Sequence, residues 1–250
     1  MIRAHMATFP SRHELCPTAV NSILPQVDRL FLVLNQYEAM PDWARDEKIT
    51  AVIPDRDLKD VGKFYFTPDP DDLVFFVDDD ILYPADYVAL TQARFAKLAR
   101  STSCVGYFGN ALSPHEQPGR VKWKTFQFEQ PLGRTVGASL LGTGTVCAWG
   151  RNVPPLDFMT DYIGICDMGF ALWQMQTGCL TWVLPRDGGW MRNVLPAELE
   201  ADSLYETVHK RGSSQQSRIL RQLAEGWPHA GETFRNFMAS PAADAYRVTT

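Results

Sequence analysis

The chain has 250 residues, 45% hydrophobic and 21% charged, the balance of a soluble globular protein with room for one large α/β domain or two small ones. Its formal net charge of −5 argues against a general polyanion binder and leaves a local basic groove open. The five cysteines (Cys16, Cys104, Cys147, Cys166 and Cys179) show no CxxC spacing, which speaks against structural zinc, and their odd number favours a reducing compartment. Met1 to Met6 lacks the apolar run of a signal peptide, and no stretch approaches the roughly 20 apolar residues of a membrane span. The expected location is cytoplasmic, with a peripheral place at the inner face of a membrane left open.

Along the chain, a short first strand is expected around Ile2 to Ala7, ending in the turn Thr8-Phe9-Pro10-Ser11-Arg12. Pro17 suits the first turn of a helix running through Val20 and Leu24. Arg29 to Leu34 reads as a buried strand ending at Asn35, and Ile49 to Ile53 as a short one. A polar loop, Asp55 to Lys63, precedes the apolar run Leu73-Val74-Phe75-Phe76-Val77. From Pro84 the spacing of Tyr87, Leu90, Ala93 and Leu98 turns helical. Alternation of this kind predicts an α/β fold with a mostly parallel central sheet flanked by helices. Further on, Cys104 to Gly109 reads as a strand, Trp123, Phe126 and Phe128 fall in an exposed or edge strand, and Leu140 to Trp149 reads as a glycine-bearing strand. A helix is expected from Asp167 to Gly178, a strand at Leu180 to Leu184, a polar helix over roughly 202–225, and a weakly structured tail from 227.

The carboxylate run Asp78-Asp79-Asp80 leaves the end of the most apolar strand. Several kcal/mol would be needed, on the order of magnitude, to bury even one such ion unpaired, so the run needs a cation. Oxygen ligands favour Mg²⁺ or Mn²⁺ over Zn²⁺, and ligands gather at the carboxyl ends of strands in open α/β sheets. The run therefore points to metal-assisted chemistry on a phosphorylated substrate. The competing reading is a cluster of carboxylates at a helix start, favoured by the macrodipole.

Three motifs together resemble GT-A fold glycosyltransferases, particularly the family 2-like enzymes that build bacterial polysaccharides. Asp78-Asp79-Asp80 with Pro84 looks like the DxD motif of that family. Leu141-Gly142-Thr143-Gly144-Thr145-Val146 is similar to its glycine-rich strand lining the donor sugar pocket. Cys166-Asp167-Met168-Gly169-Phe170-Ala171-Leu172, followed by Gly178, resembles the segment in which an acidic pair opens a helix and supplies the catalytic base. The resemblance covers roughly residues 1–190. Two positions depart from the pattern: Cys166 stands where an acidic residue usually precedes the base, and Gln174 near the place of a later arginine.

The resemblance implies a GT-A type nucleotide-binding sandwich, with a donor half over about 1–100, an acceptor half over about 101–226 and a tail from 227. It implies a UDP- or GDP-sugar donor, a divalent metal (Mn²⁺ or Mg²⁺), and a saccharide or other hydroxyl acceptor, a nucleic-acid base included. Asp80 becomes the first metal ligand, Asp78 faces the metal, its water shell or the ribose, and Asp79 is a sugar contact or sits behind the ligands. Thr8 and Arg12 would meet the base or phosphates, and Asn35 the nucleoside. In the loop before the aspartates, Gly62 permits close backbone approach, Lys63 would meet the diphosphate and Asp60 the ribose or base. Gly142, Thr143 and Gly144 would shape the sugar pocket. Asp167 would be the general base of an inverting displacement, with Asp161 as rival and helix N-capping as its plain alternative. His209 is placed in sequence order to join the metal shell, against a solvated position on a polar helix. Two other readings stand beside this one. A sugar nucleotidyltransferase usually carries a glycine-rich basic loop after its first strand, which Thr8 to Arg12 lacks. A non-catalytic nucleotide-sugar-binding relative would keep the fold without needing Asp167.

Overall fold

The computed structural model describes residues 1–98, 102–117, 119–202 and 212–246. Its strands are β1 (Ile2–Thr8), β2 (Arg29–Leu34), β3 (Ile49–Val52), β4 (Leu73–Phe76), β5 (Ile81–Leu82), β6 (Ser103–Gly106), β7 (Gly109–Pro114), β8 (Val121–Phe126), β9 (Val136–Gly137), β10 (Leu140–Leu141), β11 (Cys147–Trp149), β12 (Leu180–Val183) and β13 (Arg192–Asn193). The α-helices are α1 (Cys16–Ile23), α2 (Tyr87–Phe95), α3 (Leu156–Met159), α4 (Cys166–Gln176), α5 (Ser214–Gly226) and α6 (Phe234–Met238).

The large sheet runs in the order β3-β2-β1-β4-β11-β6-β12-β9. Strands β3, β2, β1 and β4 are mutually parallel, as are β6 and β12, while β11 runs antiparallel between β4 and β6. All four residues of β4 are buried, which is why its sequence is a continuous apolar run. Phe75 and Val77 pack in the core that holds Ala19, Val20 and Ile23 of α1. Val74 and Phe76 pack on the opposite side with Leu58, Val61, Phe64 and, from α4, Phe170. Helices thus cover both faces, and the mostly parallel α/β sheet read from the sequence is the architecture found. Because β2, β1 and β4 are parallel, Asn35, Thr8 and Asp78 to Asp80 emerge at one edge.

Three segments differ from the sequence reading. The polar loop before β4 contains a 3-10 turn, Lys59–Phe64, whose residues Val61 to Phe64 are buried. Leu140 to Trp149 is not one strand: a turn over Gly142–Thr145 separates β10 from β11. Residues 227–246 do not form a loose tail. Trp227, His229, Phe237 and Ala243 are buried, and Thr233 bridges to Val136. Isolated aromatic anchors hold this stretch, and they leave no periodicity to read. Beside the main sheet, β10, β7 and β8 form a second, three-stranded sheet. Among the described residues no helix is long and apolar enough to cross a membrane.

Candidate active site

The three aspartates are not equivalent. Asp78 forms an ion pair with the buried Lys63 ammonium, and its backbone N–H donates to the Tyr83 hydroxyl at 2.8 Å. That hydroxyl in turn donates to the Gly144 carbonyl at 2.7 Å. Asp79 is buried and accepts a 2.6 Å hydrogen bond from Thr8 Oγ1. Burial pushes its carboxyl up to about 6 against that hydrogen bond. Asp80 is half-buried. Its backbone carbonyl accepts from Val194 N–H at 2.8 Å, and its carboxylate takes no hydrogen bond among the described residues. Burial, with the charges of Asp78 and Asp79, pushes it up to about 7. The chain therefore supplies its own cation to Asp78 and a hydroxyl to Asp79, and the described residues leave Asp80 open.

Lys63 reaches this edge because the 3-10 turn lies tight against β1 and β2. A Cβ on Gly62 would stand 3.0 Å from Val33 and 3.2 Å from Ala7. Burial opposes the Lys63 charge, but Asp78, Cys166 and Asp167 outweigh it and hold the group protonated. Its Nζ also lies 3.3 Å from Thr143 Oγ1. Thr143 then donates twice to Asp167 Oδ1, from its N–H at 2.8 Å and from its hydroxyl at 2.7 Å. Asp78, Lys63, Thr143 and Asp167 are thus joined in one hydrogen-bonded chain. The intervening turn fits because Gly144 has no side chain: a Cβ there would fall 2.0 Å from Asp78 Oδ2. Gly142 sits under Phe108 and faces no carboxylate.

Two carboxylates meet the start of α4, with roles that the sequence did not separate. The N-cap residue is Ile165, and no side chain of α4 itself caps the helix. Asp60 does so from 106 residues away, accepting from Cys166 N–H at 2.9 Å and from Gly164 N–H at 2.6 Å. Both oxygens of Asp60, expected at the ribose or base, are thereby engaged on the helix end, where orphan N–H groups and the macrodipole favour an anion. Asp167, freed from capping, keeps Oδ2 without a partner among the described residues. Asp161 is exposed, and only its backbone carbonyl is used, by Gln215 at 3.2 Å.

Asn35 is likewise engaged by protein. Its amide donates to the Lys59 carbonyl at 3.0 Å and accepts from Leu58 N–H at 2.9 Å, so it anchors the loop carrying Lys63. Arg12 is the opposite case. It is buried, yet Nε and Nη1 have no hydrogen-bond partner among the described residues, and its charge favours the ionised forms of Asp79 and Asp80. Next to it lies a cleft of about 410 Å³ lined by Pro10, His13, Gln36, Tyr37, Glu38 and Met40. The Tyr37 hydroxyl there is buried beside Thr8. His209 lies outside the described residues. Tyr83 and Tyr37 were not singled out in the sequence. The only local signal for Tyr83 is its place five residues after Asp78.

No three His, Cys, Asp or Glu side chains converge as a ready-made metal cage among the described residues. Mg²⁺ and Mn²⁺ sites built on one or two carboxylates, with phosphate and water completing the shell, need no such cage. Asp80, with a carboxylate that has no hydrogen-bond partner among the described residues, fits that role, and Asp78 fits it less well because Lys63 occupies it.

No protein-family model matches the chain, and no curated protein matches it in sequence. Among solved structures, the chain is similar to S. aureus TarS 1–349, with a TM-score of 0.51. The match covers 100% of this chain and 75% of that chain at 9% identity. At this identity the likeness is one of fold alone, a mostly parallel α/β sheet flanked by helices.

Proposed function

We propose that the protein is a metal-dependent, family 2-like glycosyltransferase that moves a sugar from a nucleoside-diphosphate sugar to an acceptor hydroxyl with inversion. The observation that carries this reading is the hydrogen-bonded chain Asp78–Lys63–Thr143–Asp167, which joins the three sequence motifs at one edge of the sheet. In the reaction so read, Lys63 and Arg12 face the leaving diphosphate, whose negative charge grows as the anomeric carbon–oxygen bond breaks. A Mg²⁺ or Mn²⁺ ion held by Asp80, with Asp78, would add Lewis-acid stabilisation of the same charge. Asp167, held by Thr143 through Oδ1, takes the acceptor's proton on Oδ2 as the hydroxyl attacks from the opposite face. Thr8 keeps Asp79 in place behind the ligands. The cleft beside Tyr37 takes the nucleoside. Asp60 and Asn35 support the frame instead of touching the donor.

The test is a thermal-shift panel of UDP, GDP and CMP and their sugars, with and without Mn²⁺. Metal-dependent stabilisation by one nucleoside diphosphate is expected; at a concentration 100 times Kd it amounts to about 2.7 kcal/mol. Stabilisation only by a nucleoside triphosphate together with a sugar phosphate would replace the transferase with a nucleotidyltransferase.

A further inference from the structure

Strand β1 carries two buried titratable side chains, Arg3 and His5, on one face, with Thr8 as its only other polar residue. Such groups are costly to bury unless each is partnered. Asp72 takes the α-amino group at 2.7 Å on Oδ1 and Arg3 Nη1 at 2.9 Å on Oδ2. The Arg3 guanidinium lies 3.7 Å over the Phe31 ring, and its Nε donates to His5 Nε2 at 2.8 Å. Arginine is a donor only, so Nε2 accepts and the imidazole proton sits on Nδ1. Nδ1 is 2.8 Å from the Lys63 carbonyl. The imidazole therefore donates to the backbone of the residue whose ammonium reaches Asp78 and Thr143.

We propose that His5 is a positioning residue for Lys63: its Nδ1–H pins the Lys63 peptide, so that the ammonium is delivered between Asp78 and Thr143. A plain core histidine would be satisfied equally well by any carbonyl; this one is spent on the peptide of the lysine that, among the described residues, reaches the carboxylate edge. The service to the donor rests on the function proposed above, but the placement of Lys63 does not.

The test uses the full chain and two readouts. His5→Phe keeps a ring and removes both nitrogens. His5→Asn places an N–H where Nδ1 is, and His5→Gln places its amide where Nε2 is. Lysine reactivity is read by reductive methylation and mass spectrometry, and a parallel alkylation with iodoacetamide reads the buried Cys147 thiol as the control for general loosening. Lys63 should be modified at least ~10-fold faster in His5→Phe than in wild type, and remain near wild type in His5→Asn, with Cys147 protected in both. If His5→Phe does not fold, the contrast between His5→Gln (fast) and His5→Asn (slow) carries the same decision. Unchanged Lys63 reactivity, or Lys63 and Cys147 rising together, would overturn the proposal, because either result leaves His5 a structural residue only. The second readout is affinity for UDP and GDP with Mn²⁺. There His5→Phe and Lys63→Met should each weaken binding about tenfold, and the double variant no more than Lys63→Met alone. Fast labelling with unchanged nucleotide affinity would keep the positioning role and remove the donor reading.

Discussion

Strands β1 and β4 lie side by side and parallel, and a cluster of buried charge sits at each end of the pair. At the amino end, Asp72, Arg3, His5 and the α-amino group are all partnered. At the carboxyl end, Lys63 meets Asp78 and Thr8 meets Asp79, but Arg12 Nε and Nη1 and the Asp80 carboxylate have no hydrogen-bond partner among the described residues. Both clusters carry the cost of burying ions. Among the described residues only the first recovers it, which is what a structural cluster does; the second is left incomplete there, as a site that waits for charged atoms of a ligand would be.

The contrast can be broken at several points. The largest effect is expected at the acceptor side of the open cluster. Asp167→Asn should keep nucleotide binding and lower transfer by about 10³-fold, within the usual range for a general base; undiminished turnover in a donor-consumption assay would remove it from that role. Gly144→Ala forces a methyl group onto Asp78. It should separate Asp78 from Lys63 and weaken metal-dependent nucleotide affinity at least ~10-fold, measurable by calorimetry. At the closed end, Asp72→Ala strands Arg3 and should cost roughly 3 kcal/mol in urea unfolding. Arg12→Met, by contrast, removes a buried cation that has no hydrogen-bonded partner, and should leave the urea midpoint unchanged or raised while weakening nucleotide binding. A matching loss of stability in the two variants would erase the distinction between the clusters. Asp161→Asn should be the smallest change, leaving turnover within about twofold of wild type, as expected of an exposed surface residue.

The two ends also respond to pH with opposite sign. Burial, with Arg3, pushes His5 down to about 3 from 6.5, and burial pushes His229 down to about 4. The unfolded chain binds these protons first, so stability is lost as pH falls below about 6.5, by up to about 1.4 kcal/mol per pH unit for each histidine. Asp79 and Asp80 are raised instead. There the folded chain holds protons that the unfolded chain has released, so their contribution falls as pH rises from about 4 towards 7. Asp80→Asn should accordingly stabilise the protein at pH 7.5, while His5→Phe should flatten the acid limb; unfolding curves across pH 4–8 would check both.

Much of this frame can be read from the sequence where one physical signal dominates. The apolar runs of β2 and β4 declare buried strands, and the carboxylates after β4 declare an edge that needs cations. Lys63 is legible because it follows a glycine in the one polar loop before that edge. What is hidden depends on partners far apart in the chain. Asp60 reads as a ligand contact because nothing local shows that it will cap a helix starting 106 residues later. The turn at Gly142–Thr145 reads as strand because it stands between apolar runs, and only the distant approach of Phe108 to Gly142 and of Asp78 to Gly144 requires its glycines. Arg3 and His5 do leave a trace, two polar residues one apart in an apolar strand, but Asp72 is 69 residues away from Arg3. Asp167 reads equally as cap or base until Asp60 is seen to do the capping.

The most direct test of the account is calorimetric titration of UDP and GDP into the wild type and Asp80→Ala, each with and without Mn²⁺. The open cluster predicts that one nucleotide binds the wild type more tightly with the metal, and that Asp80→Ala loses this metal-dependent gain. Equal affinity of Asp80→Ala and wild type in the presence of Mn²⁺ would contradict it.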